Sequence, residues 1–328
     1  MNCVLGIDGG ASKTHCLAAT QDGRVLGMGR GGPSNHQVSG LEAAMAEVAM
    51  AVDQALGQAS IDAASLGMFC LAGADLPEDL TLLGQAITDL GLCQEVVVKN
   101  DTWAALHSGL SRSWGVVVVC GTGTNAAGRG RDGQEIVFPG LGRISGDWGG
   151  AADISQEIVR LVMRAWDGRG EPTALSQAVL DSLDLSSPAE LLRMLYHDRL
   201  GPEQLLALAP LVFQAADSGD AVARALVKAV GTEVATTAGA LIRRLSLADQ
   251  NVEVVLAGSI FKAEGPLLIE TVEQALLGLA PRASVVLPEV EPVVGALLLA
   301  LQAMGTEVNP TVRLRIRASL PEQLTIRT

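Results

Sequence analysis

The sequence predicts an α/β protein made of two duplicated domains, and two observations support this. Along most of the 328 residues, short apolar runs typical of strands alternate with stretches of helical periodicity. Such alternation indicates helices layered on a largely parallel sheet. In addition, one order of elements occurs twice, just over a hundred residues apart: strand, small-residue turn, strand, Asp-Gly turn, strand. A repeat of this length indicates duplicated domains rather than a solenoid.

The first copy of the repeat lies at the start of the chain. An apolar strand ends in Asp8-Gly9-Gly10, a second strand follows, and the turn Asp22-Gly23 leads into a third. Asp-Gly between two strand-like runs is a strong hairpin signal. The elements predicted next are a helix at 41–57, a strand at 65–75, a helix at 77–91 and a strand at 95–101.

The second copy begins with four consecutive valines, which predict a strand covered on both faces. This strand runs into Gly121-Thr122-Gly123-Thr124, and the second Asp-Gly turn is Asp132-Gly133. The polar turn 111–115 separates the copies, so we expect domains at 1–114 and 115–328. The elements predicted next are helices at 150–167, 202–217, 220–246 and 293–305 and strands at 252–260 and 283–289. Helix 293–305 belongs either with the second domain or packed back on the first.

The C-terminal segment 309–328 has a different pattern. Val312, Leu314 and Ile316 alternate with arginines. This alternation predicts an edge strand or an arm onto a neighbouring subunit, with a disordered tail as the alternative.

Composition excludes several classes of protein. The net charge of −13 argues against a nucleic-acid surface, which needs a basic footprint. The five cysteines form no C-x-x-C pair, and the four histidines do not cluster, so reduced buried thiols are expected and a structural zinc site is not. No signal peptide or membrane-spanning run is apparent, and we expect a cytoplasmic protein without a membrane partner.

The small-residue turns at the strand ends suit a phosphate. Alternating glycines and threonines in 121–124 offer backbone N–H groups and hydroxyls, although such a hairpin also occurs without a ligand. No G-x-x-x-x-G-K-[ST] loop is present. In two duplicated domains, both turns could face one nucleotide, with Ser12 and Thr122 on opposite sides of its phosphates. Asp8 would then stand where Mg²⁺ could be held by a carboxylate and phosphate oxygens.

Six motifs in order resemble the N-acetylglucosamine kinases of the BadF/BadG/BcrA/BcrD ATPase family, within the sugar kinase–actin–Hsp70 superfamily. They are GIDGGASKT, GPSNHQ, KNDTWAAL, CGTGTN, ISGDWGGA and LAGSIFK. The resemblance covers the chain to about residue 305. It implies two ribonuclease-H-like (actin-like ATPase) domains with a nucleotide/sugar cleft between them. It also implies ATP- and Mg²⁺-dependent phosphorylation of an amino sugar, first of all N-acetylglucosamine at its 6-hydroxyl, by a homodimer.

The resemblance implies roles for individual residues. Asp101 would be the general base, kept ionised by the helix N-terminus that follows it. The implied sugar contacts are Asn35, Asn125, Gly140, Leu141, Gly142 and Asp147. The implied ATP contacts are Gly9, Gly10, Ser12, Lys13, Thr122, Gly123, Thr124, Gly258 and Ser259, with Ala216 at the base site. Ala11 and Leu141 depart from the family pattern, which has a glycine and an aromatic residue there, so specificity for the acetyl group stays open.

Other interpretations remain at this point. Asp101 could simply cap the helix beginning at Thr102, Asp147 could bond turn backbone, and Asn35 could be a plain loop residue. The chain could be a glucosamine kinase. It could also be an ATPase activator of a 2-hydroxyacyl-CoA dehydratase or benzoyl-CoA reductase, although no cysteine lies in a plausible bridging loop for an iron–sulfur cluster. A non-catalytic sugar sensor is a third class.

Overall fold

The structure is a computed structural model, and it describes residues 3–263 and 265–326. Its first sheet has five strands: β1 (Cys3–Gly9), β2 (Thr14–Thr20), β3 (Val25–Gly31), β4 (Ala64–Leu71) and β5 (Cys93–Asn100). Four helices accompany them: α1 (His36–Ser39), α2 (Leu41–Ala59), α3 (Pro77–Asp89) and α4 (Asp101–Gly109). The strand order is β3-β2-β1-β4-β5, with β1–β3 antiparallel and β4 and β5 parallel to β1.

The second sheet repeats this order. Its strands are β6 (Gly115–Cys120), β7 (Thr124–Arg129), β8 (Glu135–Phe138), β9 (Glu253–Ala257) and β10 (Ser284–Val286), arranged β10-β9-β6-β7-β8. The helices of this half of the chain are α5 (Ala151–Trp166), α6 (Leu175–Ser182), α7 (Pro188–Tyr196), α8 (Pro202–Leu206), α9 (Ala209–Asp217), α10 (Ala221–Arg244), α11 (Leu267–Leu277), α12 (Pro292–Ala303) and α13 (Pro310–Ser319). The predicted α/β class with two ribonuclease-H-like sheets is confirmed.

The two Asp-Gly turns have the same pattern of backbone hydrogen bonds. In the first, Thr20 N–H donates to the Arg24 carbonyl at 2.9 Å and Gly23 N–H to that of Thr20. In the second, Gly130 N–H donates to the Gln134 carbonyl at 2.8 Å and Gly133 N–H to that of Gly130. Both glycines have positive φ, +94° and +88°, which side-chain-bearing residues rarely adopt. The repeat predicted from the sequence is therefore present in the backbone.

By its internal contacts the chain divides into two compact units. Unit 1 comprises residues 1–117, 127–139 and 286–328, and unit 2 comprises 118–126 and 140–285. These units differ from the consecutive domains 1–114 and 115–328 at the short segment 115–117, at 127–139 and, with the largest number of residues, at 286–328. The reason for the difference at 286–328 is α12, which packs against β1, β4 and α4.

Helix α12 reaches the first sheet because glycines remove side chains from the contact. A Cβ on Gly6 would overlap the backbone of Leu297, and a Cβ on Gly295 would overlap the Ala104 carbonyl oxygen and lie 2.6 Å from the Ser108 nitrogen. The backbone of α12 therefore packs directly on the backbone of β1 at Gly6 and on that of α4 at Gly295.

Several predicted elements are wrong in kind or extent. The segment 310–319 is a helix, not an edge strand: the Asn309 side chain accepts from Val312 N–H, Pro310 occupies the first turn, and Val312 and Ile316 are buried one turn apart. The predicted helix 202–217 is two helices, α8 and α9, and α6 and α7 were not predicted. Strand β9 ends at Ala257 because Gly258, at φ +108°, turns the chain into a 3₁₀ helix.

Among the described residues, α10 is the one helix long and apolar enough to cross a membrane. More than half of its most apolar stretch is buried within the protein, and it packs against α9 and α11. These contacts are those of a core helix.

We expect Gly295→Ala to destabilise the protein by about 1–3 kcal/mol, because the added methyl overpacks the contact between α12 and α4. The control is Gly57→Ala in α2, where a Cβ meets nothing within 4 Å. That substitution should stabilise by about 0.4–1 kcal/mol, since alanine lowers the entropy of the unfolded chain. Urea unfolding of both variants checks this, and equal effects of the two substitutions would contradict the packing argument.

Candidate active site

Carboxylates gather at one edge of the first sheet. Strands β1, β4 and β5 are parallel, with Asp8 opposite Cys70 and Leu71 opposite Asn100 in the register, so their carboxyl ends share an edge. Asp8 lies next to the end of β1, Asp75 follows β4, and Asp101 follows β5 directly. Open α/β sheets bind their ligands at this edge.

Asp101 begins α4, but it does not cap the helix. The cap is Asn100, whose Oδ1 accepts from Thr102 N–H at 3.0 Å and from the Thr102 hydroxyl at 2.5 Å. The amide of Asn100 donates to Asp75 Oδ1 at 2.7 Å. Asn100, and not Asp101, is therefore the N-cap residue of α4, although the Asp101 carboxyl also accepts from N–H groups of the first turn.

The electrostatics of this edge raise the pKa of two carboxyl groups. Burial, and then repulsion from Asp75, raise the pKa of Asp101 to about 6, against opposing hydrogen bonds from backbone N–H groups at the start of α4. Burial and repulsion from Asp101 raise the pKa of Asp8 to about 7, while Lys13 acts in the opposite direction. Burial and Asp75 therefore outweigh the effect of the helix N-terminus on the pKa, but a carboxyl with a pKa of about 6 is still mostly ionised at neutral pH, as expected.

Residues 9–13, predicted to contact ATP phosphates and called the first phosphate loop below, form a tight turn that is hydrogen-bonded to neighbouring segments. Gly10 N–H donates to the Lys13 carbonyl at 2.9 Å, and the Gly10 carbonyl accepts from Ser34 N–H at 3.0 Å. Gly9 is buried, whereas Ser12 and Lys13 are exposed. The Lys13 ammonium lies 3.0 Å from Glu291 Oε2. The loop therefore presents a hydroxyl and a cation beside Asp8.

The side chain of Asn35 caps α1 through its oxygen. Its Oδ1 accepts from Gln37 N–H at 3.0 Å at the start of α1. A Cβ on Gly73 would lie 2.7 Å from this same oxygen, so Gly73 makes room for the side chain. Within residues 3–263 and 265–326, the amide NH₂ of Asn35 has no partner, which leaves its donor for a ligand hydroxyl.

In unit 2, residues 121–124, the predicted second phosphate loop, are hydrogen-bonded to the first turn of α5. Ala151 N–H donates to the Gly121 carbonyl at 2.8 Å and Ala152 N–H to the Thr122 carbonyl at 3.0 Å. Thr122 and Gly123 are exposed, while Thr124 is buried with its hydroxyl 3.9 Å from the Cys120 sulfur. Of the two predicted threonine contacts, the structure leaves Thr122 accessible and turns Thr124 inward.

The predicted sugar residues of unit 2 lie around one loop. A Cβ on Gly140 would lie 2.8 Å from the Thr124 carbonyl oxygen and 3.4 Å from Asn125 Cβ, which places the loop beside the second phosphate loop. The Gly142 carbonyl accepts from Asp147 N–H at 3.2 Å, and the Ser145 hydroxyl donates to Asp147 Oδ2 at 2.6 Å. Leu141 is 62% exposed, so it is not a core residue.

A cavity of about 600 Å³ in unit 2 contains Ser259. Gly258 brings it near the second phosphate loop, since a Cβ there would lie 3.0 Å from the Cys120 nitrogen. Ala216 does not line the cavity; it is buried on α9, and Phe213, Gln214 and Asp217 line it instead. Phe213 and Asp217 are four residues apart and so share one side of α9, with Gln214 beside them.

No group of three or more His, Cys, Asp or Glu residues in the described part of the chain could hold a metal ion. Mg²⁺ bound through phosphate oxygens needs only one or two carboxylates, and Asp8 fits that role. Burial and repulsion from neighbouring carboxylates destabilise the ionised form of Asp8 and so raise its pKa. A cation bound next to Asp8 would stabilise the ionised form and lower that pKa.

The chain is similar to known proteins along most of its length. The sequence profile of the BadF/BadG/BcrA/BcrD ATPase family matches residues 5–300. The chain is 31% identical to the N-acetylmuramic acid/N-acetylglucosamine kinase of Clostridium acetobutylicum, over 79% of this chain and 86% of that one. It is 28% identical to the N-acetyl-D-glucosamine kinase of Dictyostelium discoideum, over 91% and 98%. A crystal structure from Chromobacterium violaceum, provisionally assigned as an N-acetylglucosamine kinase, matches with a TM-score of 0.65 at 26% identity, over 92% and 99%.

We expect Asp101→Asn to stabilise the protein at pH 8 by about 1–3 kcal/mol, because 1.36 kcal/mol corresponds to each unit of raised pKa. The native pKa of Asp101 lies above the ordinary value, so ionisation costs native-state stability as pH rises from about 4 to 6. The gain should therefore be smaller at pH 5 than at pH 8.

The control for this variant is Asp220→Asn at the start of α10. Burial raises the pKa of Asp220, but backbone hydrogen bonds from Ala223 and Ala174 outweigh it and the pKa is lowered, so this carboxylate stabilises the native state when ionised. Asp220→Asn should lower the melting temperature at pH 8. A loss of stability for both variants would contradict our account of Asp101.

Proposed function

The chain belongs to the BadF/BadG/BcrA/BcrD ATPase family, and from this premise we propose that it is an amino-sugar kinase. The proposed reaction transfers the terminal phosphoryl group of ATP to the 6-hydroxyl of N-acetylglucosamine, ahead of glucosamine and other amino sugars. The observation that carries the proposal is Asp101: a carboxylate at the carboxyl edge of β5, held by the Asn100 cap, with its pKa raised to about 6. The names of the two curated relatives support the same chemistry.

Asp101 acts as the general base in this proposal. As the sugar oxygen attacks the γ-phosphorus, its proton passes to the Asp101 carboxylate. A base with a pKa of about 6 is ionised at neutral pH and is more basic than an ordinary aspartate, which brings its pKa closer to the operating pH. Phosphoryl transfer requires positioning and charge neutralisation more than covalent catalysis, so one placed base is sufficient.

The substrates are assigned to the remaining residues by their chemistry. Asn35 offers an amide donor, and Asn125 and Asp147 offer acceptors, to the hydroxyls of the sugar. Ser12, Lys13, Thr122 and Gly123 offer hydroxyl, ammonium and backbone donors to the ATP phosphates. The apolar and polar groups of the cavity beside Ser259 suit the adenosine. Asp8 would hold Mg²⁺, which when bound neutralises charge on the phosphate oxygens. The homodimer and the cytoplasmic location stay predictions.

The ATPase-activator alternative needs exposed cysteines to hold an iron–sulfur cluster. Cys3, Cys16, Cys70 and Cys120 are buried, and Cys93 is partly exposed. Burial raises the thiol pKa of Cys93 to about 11, which disfavours the thiolate that a cluster requires. These thiols support the kinase over the activator.

The function is tested by ADP release with N-acetylglucosamine, glucosamine, glucose, N-acetylmannosamine, N-acetylmuramic acid and no sugar. N-Acetylglucosamine should raise the rate far above the sugar-free rate. Asp101→Asn should lower kcat by about 10²–10⁴-fold with little change in ATP affinity, because it keeps the size of the side chain and removes its basicity. If no sugar in the panel raises the rate, the kinase assignment is wrong; if Asp101→Asn turns over within a few-fold of wild type, Asp101 is not the base.

We also expect the pH dependence of kcat/KM to show the ionisation of Asp101. Only the ionised carboxylate accepts the sugar proton, so kcat/KM for the sugar at saturating Mg-ATP should fall about tenfold per pH unit below an apparent pKa near 6. An ordinary aspartate would keep the rate flat to about pH 4. A profile without a break between pH 5 and 7 would contradict the raised pKa.

A further inference from the structure

An ion pair joins the first phosphate loop to the start of α12. The Lys13 ammonium lies 3.0 Å from Glu291 Oε2, across 278 residues of sequence and within unit 1. The Lys13 side chain is 49% exposed and that of Glu291 only 13% exposed. The carboxylate is therefore the fixed partner of the pair, and the lysine is the group that it holds.

Glu291 is fixed by backbone contacts on both of its sides. It is the residue before Pro292 at the start of α12, the helix whose backbone packs against Gly6 of β1. Its own N–H donates to the Leu324 carbonyl at 2.9 Å, and its neighbour Val290 forms an antiparallel bridge with Thr325. Ile326 N–H donates to the Glu289 carbonyl at 2.8 Å.

Lysine gains from such a partner because its stem is long and its charge is strongly hydrated. An unrestrained ammonium loses rotamer freedom when it binds a phosphate. Glu291 takes one of the three N–H donors of Lys13 and orders the stem before a ligand arrives. The carboxylate also carries the same sign of charge as a phosphate, so its effect depends on the lysine that separates the two.

We propose that Glu291 is a positioning residue: it holds the Lys13 ammonium in place for the phosphates of a nucleoside triphosphate, and so sets the affinity for ATP. This inference rests on the proposed kinase function for its ligand. Through Leu324 and Thr325, the same arrangement makes the segment 322–326 part of the support of the phosphate loop.

The first test is Glu291→Gln, which keeps the size of the side chain and removes its charge. The Kd for Mg-ATP without sugar, measured by calorimetry, and the KM for ATP should both rise about 2- to 10-fold. The kcat and the KM for the sugar should stay within about twofold. The control is Glu289→Gln, two residues away, which removes the same charge from a pair with Arg317 on α13 and should leave ATP affinity unchanged.

The second test repeats Glu291→Gln in the absence of Lys13, where its effect on ATP affinity should have the opposite sign. In a Lys13→Met background the Lys13 ammonium no longer offsets the repulsion between the Glu291 carboxylate and the phosphates, so Glu291→Gln should there strengthen ATP binding instead of weakening it. A purely structural role for Glu291 predicts the same sign in both backgrounds, and melting temperatures of the variants monitor folding.

The outcomes separate this inference from the proposed function. If a wild type that binds Mg-ATP shows no change or a gain of affinity on Glu291→Gln, the positioning role is overturned whether or not a sugar is phosphorylated. If no sugar of the panel reacts but the two Kd shifts have opposite signs, the kinase assignment fails and the positioning role stands. A wild type that binds no nucleotide overturns both.

Discussion

Repulsion between carboxylates held at one edge of the first sheet is the constraint on which this site depends. Parallel strands end on the same side, so folding brings Asp8, Asp75 and Asp101 together whatever their charges. Burial weakens solvation and raises the pKa of Asp8 and Asp101. Their neighbours limit the cost: the Asn100 amide bonds Asp75, and Lys13 opposes the charge near Asp8. The ionised carboxylates at this edge therefore lower the stability of the folded protein and at the same time make Asp101 more basic, a combination that is common at active sites.

Duplication supplied one backbone frame and the two copies carry different chemistry on it. In the first copy the strand ends in Asp8-Gly9-Gly10; in the second it ends in Cys120-Gly121-Thr122. The carboxyl groups with raised pKa all lie in unit 1, among the groups that the structure describes. The second copy offers hydroxyls and backbone donors at the matching position. In the proposed function, acid–base chemistry therefore belongs to the first copy alone, whereas both copies contribute phosphate contacts.

The sequence predicted those parts of the fold that depend on residues close together in the chain. Alternating and helical periodicity placed every strand of the first sheet, and the Asp-Gly dipeptides marked both turns. The same reasoning failed at 310–319, because Val312, Leu314 and Ile316 satisfy a period of two while Val312 and Ile316 also satisfy a helical period. The Asn309-Pro310 pair, a cap followed by a first-turn proline, was the signal that could have decided it.

The candidate site shows the same division. The strand-end position of Asp101 could be predicted, but its raised pKa could not, because Asp75 lies 26 residues earlier and approaches only in the folded sheet. Ala216 is buried next to the cavity-lining Asp217, and the weak motif match in this helical region did not indicate which side chains of α9 line the cavity. The pair of Lys13 and Glu291 spans 278 residues, and no periodicity links residues so far apart.

The packing of α12 on β1 has a consequence for how the chain folds. Strand β1 is synthesised long before the helix that covers it, which ends at Ala303, and the bridge at Val290 forms only once Thr325 has been added. Unit 1 therefore closes through contacts of very high sequence separation, which slow folding. Unit 2 lies between these segments in the sequence, so its contacts can form while the face of β1 is still bare. During synthesis that bare apolar face is open to aggregation and to chaperones.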